Sequence, residues 1–262
     1  MTGSAAVHLR VRHLPPPSLR HERALLGAGA RVVVGMDEVG RGALAGPVSV
    51  GVVAVDATTR TSPRGVADSK LLTPAARRAL LPALSRWGLG RAVGHASAAE
   101  IDAVGIIGAL RLAGRRALVL LADVIGPVDV VLLDGSHDWL SKPAQLDLCL
   151  LGSGGGPDGV PAVDPVVHLL VRADRTCSSV AAASVLAKCE RDALMTGLSA
   201  RHPRYGWAEN KGYGSPKHLA ALRTYGASSL HRVSWHLQLG AAGPSVACTG
   251  PRTDPAGHGD GS

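Results

Sequence analysis

Residues 31–55, RVVVGMDEVGRGALAGPVSVGVVAV, constrain the fold more than any other part of this 262-residue chain. A β-branched run at 31–36 leads into Asp37 and Glu38, glycines and a proline follow (Gly40, Gly42, Gly46, Pro47), and a second β-branched run fills 48–55. Such runs, broken by a Gly/Pro cluster, predict strand, turn, strand. The turn GRGALAG has the look of a dinucleotide-binding glycine fingerprint. That fingerprint must open a helix whose N-terminus faces a pyrophosphate, and here a strand follows instead. A dinucleotide-binding enzyme is therefore the weakest of the functional classes weighed. The amides around Gly40, Arg41 and Gly42 suit close approach of a sugar–phosphate backbone, with Arg41 adding a guanidinium fork; the plainer reading is a tight hairpin turn.

Two further strand-like runs lead to an acid. Residues 129–133 (DVVLL) reach Asp134, and 166–173 (VVHLLVRA), read as one strand, end at Asp174. Any one such aspartate is most simply a strand terminator. Several at neighbouring strand ends repel one another unless cations hold them, and hard carboxylate oxygens select Mg²⁺ or Mn²⁺. A pair of such ions can bracket a phosphodiester, one activating water and the other neutralising the leaving oxygen. Between these strands, Thr73-Pro74 predicts a helix start, with Pro82 shortening the helix that follows, and 91–96 a third strand. Ser97 and Glu100 form a capping-box signature ahead of one long or two abutting helices to 124, and the Ala-rich 178–198 and residues 216–225 are further helices.

Composition narrows the class. With 46% hydrophobic and 18% charged residues the chain is expected to be globular, and its longest charge-free stretch outside Gly/Pro-dominated segments, 42–55, is shorter than the ~18–20 residues a membrane span needs. The N-terminal residues lack the apolar run of a signal peptide, so the expected location is the cytoplasm. Cys149, Cys177, Cys189 and Cys248 have no CxxC spacing and are expected as reduced thiols. The net charge of +8 favours a polyanionic partner, a signal that Arg-rich base composition can also produce. His95, His168 and His218 read as packing or capping residues rather than ligands. The domain reading is a flexible lead-in (1–30) with one short helical piece around 18–26, one catalytic domain (31–239) with a Gly/Pro-rich insertion loop at 141–164, and a disordered tail (240–262).

The successive motifs GMDEVGRGALAGPV, ADSKLLTPAAR, VVLLDG, RADRTCSSVAAASVLAKCERD, NKGYGSPKH and HRVSW resemble those of bacterial ribonuclease HII, the type 2 ribonuclease H, over residues 31–236. The resemblance implies an α/β fold, a ribonuclease H-like mixed five-stranded sheet flanked by helices with a C-terminal helical extension. It implies an endonuclease that cuts the RNA strand of RNA–DNA hybrids and nicks duplex DNA 5′ to an embedded ribonucleotide, leaving 3′-hydroxyl and 5′-phosphate ends, with two divalent ions (Mn²⁺ or Mg²⁺). Its metal and catalytic acids map to Asp37, Glu38, Asp134 and Asp174, with Asp37 and Asp174 at the water-activating ion. The insertion adds Asp138, Asp147, Asp158 and Asp164 as rivals for the fourth place; Asp174 is preferred because it ends a predicted strand and directly precedes the Ala-rich helix, as in the family, while the rivals sit in or beside the loop. The family's substrate contacts map to Gly40, Arg41 and Gly42, which hold a 2′-hydroxyl, and to Tyr213, whose ring stacks on the next sugar. Ala43 and Trp235 replace the family's usual proline and phenylalanine. Lys70, and Ser184, Lys188 and Arg191 along one helix stripe, are candidate duplex contacts, although Lys188 and Asp192 also have the spacing of an ordinary i,i+4 pair. The expected partners are RNA–DNA hybrid and ribonucleotide-containing duplex DNA, with no membrane and a monomeric chain. The related ribonuclease HIII carries a large N-terminal domain for which the lead-in is too short. A silent hybrid-binding module is the rival from another class, separable by its lack of cleavage with any divalent ion.

Overall fold

The computed structural model describes residues 15–141, 165–235 and 237. The first 14 residues, the insertion from 142 to 164 and the tail from 240 lie outside these, as do Cys149, Cys248, Asp147, Asp158 and Asp164. Along the chain come α1 (Arg20–Gly27), β1 (Val33–Val39), β2 (Val48–Val55), α2 (Pro74–Leu84), β3 (Gly90–Ala96), α3 (Ala98–Ile125), β4 (Val130–Asp134), β5 (Val166–Leu170), α4 (Ala173–Thr176), α5 (Ser178–Arg201), α6 (Trp207–Asn210) and α7 (Pro216–Tyr225). The sheet runs β3-β2-β1-β4-β5, with β1–β2 and β2–β3 antiparallel and β1–β4 and β4–β5 parallel. This is the mixed five-stranded sheet expected from the resemblance. β2 is buried at every position, which explains its unbroken apolar run: a strand covered on both faces has no reason to alternate.

Alternation along the strands sorts their side chains onto two faces. Val34, Met36, Val131 and Leu133 pack with α3, whereas Val33, Val130 and Leu132 pack with α5. Asp37 continues the row of Val33 and Gly35, and Asp134 the row of Val130 and Leu132. Both carboxylates therefore fall on the α5 face, at the neighbouring C-terminal ends of two parallel strands. The helix approaches closely because Gly35 has no side chain: a Cβ there would lie 2.4 Å from the Ser179 backbone.

Local signals explain the helix boundaries. Ser97 Oγ accepts from the Glu100 amide while Glu100 accepts from the Ser97 amide, the reciprocal cap that starts α3. Within α3, Gly105 at φ 73° and ψ 168° divides two abutting helices. Thr73 Oγ1 caps α2, which ends two residues after Pro82. Residues 18–29 contain the short helix expected around 18–26, and this part of the lead-in is docked rather than loose. Glu22 on α1 is fully buried and accepts from the amide and hydroxyl of Ser179, satisfying the start of α5 where Cys177 offers no side-chain cap. Beyond the sheet, α6, α7 and the end of α5 enclose a smaller core of Ala45, Met195, Tyr205, Trp207, Ala221 and Leu222, the expected C-terminal helical extension. Among the described residues no helix is long and apolar enough to cross a membrane.

Candidate active site

The four predicted acids share one electrostatic neighbourhood. Burial pushes the Asp37 carboxyl well above its ordinary pKa, and Glu38, Asp134 and Asp174 push the same way while Lys70 opposes them. Glu38 is also raised by burial, with Arg41, 3.7 Å away, resisting and Asp134 adding to the rise. Asp174 is raised by burial and then by Asp134 and Asp68, against the pull of Lys70 Nζ at 3.3 Å. Asp134 Oδ1 accepts the Ala173 amide at 2.7 Å, which ties the end of β4 to the turn carrying Asp174.

That turn corrects one expectation. Asp174 does not end the fifth strand: β5 stops at Leu170, Arg172 takes a left-handed conformation, and Asp174 is the second residue of α4. The reversal at Arg172 leads the chain off the sheet edge and into α5, and Asp174 is 4% exposed beside Lys70. Among the rivals, Asp138 accepts from the Leu140 and Ser141 amides and serves its own loop.

Lys70 is held by a braced loop. Asp68 accepts the Lys70 amide, the Ser69 amide donates to Ser184 Oγ, and Arg77 Nη1 donates to the carbonyls of Ser69 and Leu72. Burial alone would lower the pKa of the Lys70 ammonium, but Asp37, Asp174 and Asp68 raise it, so it stays charged among the acids. The predicted duplex-facing stripe on α5 is not borne out by this geometry. Ser184 is buried and donates to Ala181 while bracing the Lys70 loop. Arg191 is fully buried and donates to Pro47, Lys211 and Ala45. Both face inward because α5 packs that side against the sheet and the glycine turn. Lys188 Nζ lies 2.6 Å from Asp192, the i,i+4 pair that its spacing offered.

The glycine turn is clamped from one side. Arg232 donates to the carbonyls of Gly40, Arg41 and Gly46. With the carbonyls drawn inward, Arg41 and Gly42 remain exposed, and among the described residues neither of their amides donates to a protein acceptor. Gly212 of the KGYG loop accepts from the Leu44 and Ala45 amides, so turn and loop form one hydrogen-bonded unit. Tyr213 stands beside it, 37% exposed, with Arg191 5.5 Å over its ring.

Among the described residues no three His, Cys, Asp or Glu side chains form a ready-made ligand group for an ion. The donor chemistry nonetheless suits Mg²⁺ or Mn²⁺. All the donors are hard carboxylate oxygens, and Asp37, whose pKa is raised first by burial and then by the neighbouring carboxylates, is a group that a bound cation would help to ionise. A second constellation, with Ser49 Oγ 2.7 Å from His95 Nδ1 and Glu190 Oε1 2.9 Å from His95 Nε2, has the components of a nucleophilic triad, but Ser49 is fully buried and offers nothing to a substrate. His95 is thus a structural link, His218 is fully buried, and His168 is exposed. Cys177 and Cys189 are free thiols. Sequence reasoning missed Asp68, Arg77, Arg232 and Glu22; the motifs ADSK and HRVSW were visible, but nothing in them states which distant backbone atoms they brace.

The family model for ribonuclease HII matches residues 34–142 and 159–238. The ribonuclease HII of Streptomyces avermitilis is 43% identical over 221 residues, 84% of each chain. Among solved structures, the ribonuclease H2 of Pyrococcus horikoshii OT3 superposes with a TM-score of 0.56 at 23% identity, over 79% of this chain and 94% of that one. Bst-RNase HIII in complex with Mn²⁺ superposes with a TM-score of 0.54 at 24% identity, over 78% of this chain and 66% of that one. Both share the fold described above.

Proposed function

The chain belongs to the ribonuclease HII family, and on that premise we propose that it is an endonuclease that cuts the RNA strand of RNA–DNA hybrids and nicks duplex DNA 5′ to an embedded ribonucleotide, leaving 3′-hydroxyl and 5′-phosphate ends. The observation that carries this reading is the electrostatic coupling of Asp37, Glu38, Asp134 and Asp174 at the C-terminal ends of β1 and β4 and the start of α4, beside a turn whose Arg41 and Gly42 amides have no protein acceptor among the described residues. The four carboxylates would hold two divalent ions. Bound there, Mg²⁺ or Mn²⁺ supplies an activated water and neutralises charge at the leaving oxygen.

The protein's own groups do the rest. The Arg41 and Gly42 amides, with that of Gly40, donate to the 2′-hydroxyl of the ribonucleotide, a group that distinguishes RNA from DNA. Arg41 offers its guanidinium to a neighbouring phosphate, and Lys70, charged and 69% exposed along its side chain, reaches a phosphate without leaving its braced loop. The Tyr213 ring lies against the sugar that follows. Lys188 is spoken for by Asp192 and Ser184 by the loop it braces, so neither carries binding in this reading. The chain is proposed to act as a monomer in the cytoplasm.

A duplex carrying one ribonucleotide, incubated with Mg²⁺ or Mn²⁺, is expected to be cut once, on the 5′ side of that nucleotide; absence of a metal-dependent cut there rejects the assignment. Asp134→Asn is expected to lower kcat by at least about a hundredfold while leaving hybrid affinity unchanged, and retained turnover removes Asp134 from the site.

A further inference from the structure

Tyr213 turns its backbone carbonyl inward, toward a buried pair of histidines that the catalytic reading does not use. His218 lies in the first turn of α7 and His231 in the segment after it; they are 0% and 1% exposed, with their Nε2 atoms 3.0 Å apart. Three partners with fixed hydrogen-bonding roles determine where the protons sit. The Ser228 backbone N–H, which can only donate, meets His231 Nδ1 at 2.9 Å, so that nitrogen carries a lone pair and Nε2 the hydrogen. The Trp207 indole N–H, also only a donor, meets His218 Nε2 at 3.2 Å. His218 therefore carries its hydrogen on Nδ1, which lies 2.9 Å from the Tyr213 carbonyl, a group that can only accept. The result is a one-way chain of hydrogen bonds, from Ser228 through His231 and His218 to Tyr213. Both rings are neutral in it, in keeping with a His231 pKa that burial and the neighbouring His218 push down to about 4.

The next residue serves the other recognition element. Arg232 holds the carbonyls of Gly40, Arg41 and Gly46, and His231 itself bridges to Ala45 in the same turn. Adjacent residues 231 and 232 thus brace both surfaces that the substrate is proposed to meet. We propose that His218 and His231 are positioning residues that fix Tyr213 relative to the turn at residues 40–42, and so set how strongly the enzyme prefers deoxyribose over ribose at the sugar following the ribonucleotide. This rests on the role assigned to Tyr213 above. A 2′-hydroxyl enlarges and polarises the sugar face that the ring meets, so the preference depends on how closely the ring is held.

The alternative is that the histidines merely fill space against Tyr205 and Trp207. The two roles separate by substitution. His218→Asn keeps an N–H donor near the Nδ1 position, and His218→Leu keeps bulk without a donor. For each, kcat and KM are measured on a duplex with a single ribonucleotide and on one with a run of ribonucleotides, and Mn²⁺ affinity is measured by calorimetry. His218→Leu is expected to reduce the ratio of kcat/KM between the substrates by about tenfold, to the value of Tyr213→Ala, with Mn²⁺ affinity unchanged; His218→Asn is expected to restore the ratio to within about threefold of wild type. The double variant His218→Leu with Tyr213→Ala is expected to lose nothing more. Equal losses in the Leu and Asn variants, or a loss uniform across both substrates, overturn the relay. If Tyr213→Ala changes the ratio and His218→Leu does not, the relay alone falls; if Tyr213→Ala leaves it unchanged, the reading of Tyr213 falls and the relay with it. Should His218→Leu fail to fold by circular dichroism, the pair His231→Gln, which keeps a donor toward His218, and His231→Leu carries the same comparison.

Discussion

Single residues in this protein separate into those whose purpose shows in their type and those whose purpose depends on a distant partner. The acidic cluster of Asp37, Glu38 and Asp134 was legible as a cluster because a carboxylate next to a β-branched run is conspicuous. Ser184 was misjudged, since a helix stripe shows spacing but not which side is packed, and its hydroxyl serves Ser69, 115 positions away. His231 shows how such a buried group responds to pH. Its folded pKa of about 4 lies below the ordinary 6.5, so below pH 6.5 the unfolded chain gains a proton that the folded chain refuses. Stability is therefore full above that pH, is lost as pH falls toward 4, and levels off below, the loss reaching about 3 kcal/mol for this one group. Denaturant titrations at pH 7, 6 and 5 are expected to show this decline in wild type and a shallower one in His231→Gln. Equal slopes would mean that the ring accepts its proton without unfolding.

Helices and strands were largely legible from periodicity and punctuation. β2 and α7 occupy the residues expected of them, and the Ser97 capping box marks the start of α3 as predicted. The fifth strand came out shorter because Val171 and Arg172 continue its β-branched and polar pattern while the backbone reverses there, a choice made by docking of α4 rather than by local preference. α1 was legible as a short helical piece, but its docking was not, because eight residues carry little helix signal alone; what orders it is burial of Glu22 against the first turn of α5. In α3, Gly105 sits where a side chain is strained although nothing lies within 4 Å of its would-be Cβ. Gly105→Ala replaces a poor helix former with the best one, yet is expected to destabilise by about 1–3 kcal/mol, because the φ and ψ at the break belong to a region that only glycine visits readily. Thermal melts of the variant test this, and a rise in Tm would show that the two helices can fuse into one.

At the scale of the whole molecule, the sheet and its two helical layers hold four like charges together at the expense of stability. The pKa of buried Asp37 is raised, so ionising it at neutral pH works against the folded state. Cations that bind the native carboxylates are expected to reverse this. Mn²⁺ at about a hundred times its dissociation constant stabilises a single-site protein by ~2.7 kcal/mol, or about 5–10 °C in Tm for a chain of this size. Scanning calorimetry with and without Mn²⁺ is expected to show that rise in wild type and to find most of it gone in Asp134→Asn; an undiminished rise would place the ion elsewhere. The net charge of the chain, +8, has the sign that favours a polyanionic partner. The bond from Arg232 to the Gly40 carbonyl spans 192 positions. During synthesis, then, the turn at residues 40–46 emerges long before the Arg232 that clamps it, and takes its final shape only once that segment has followed.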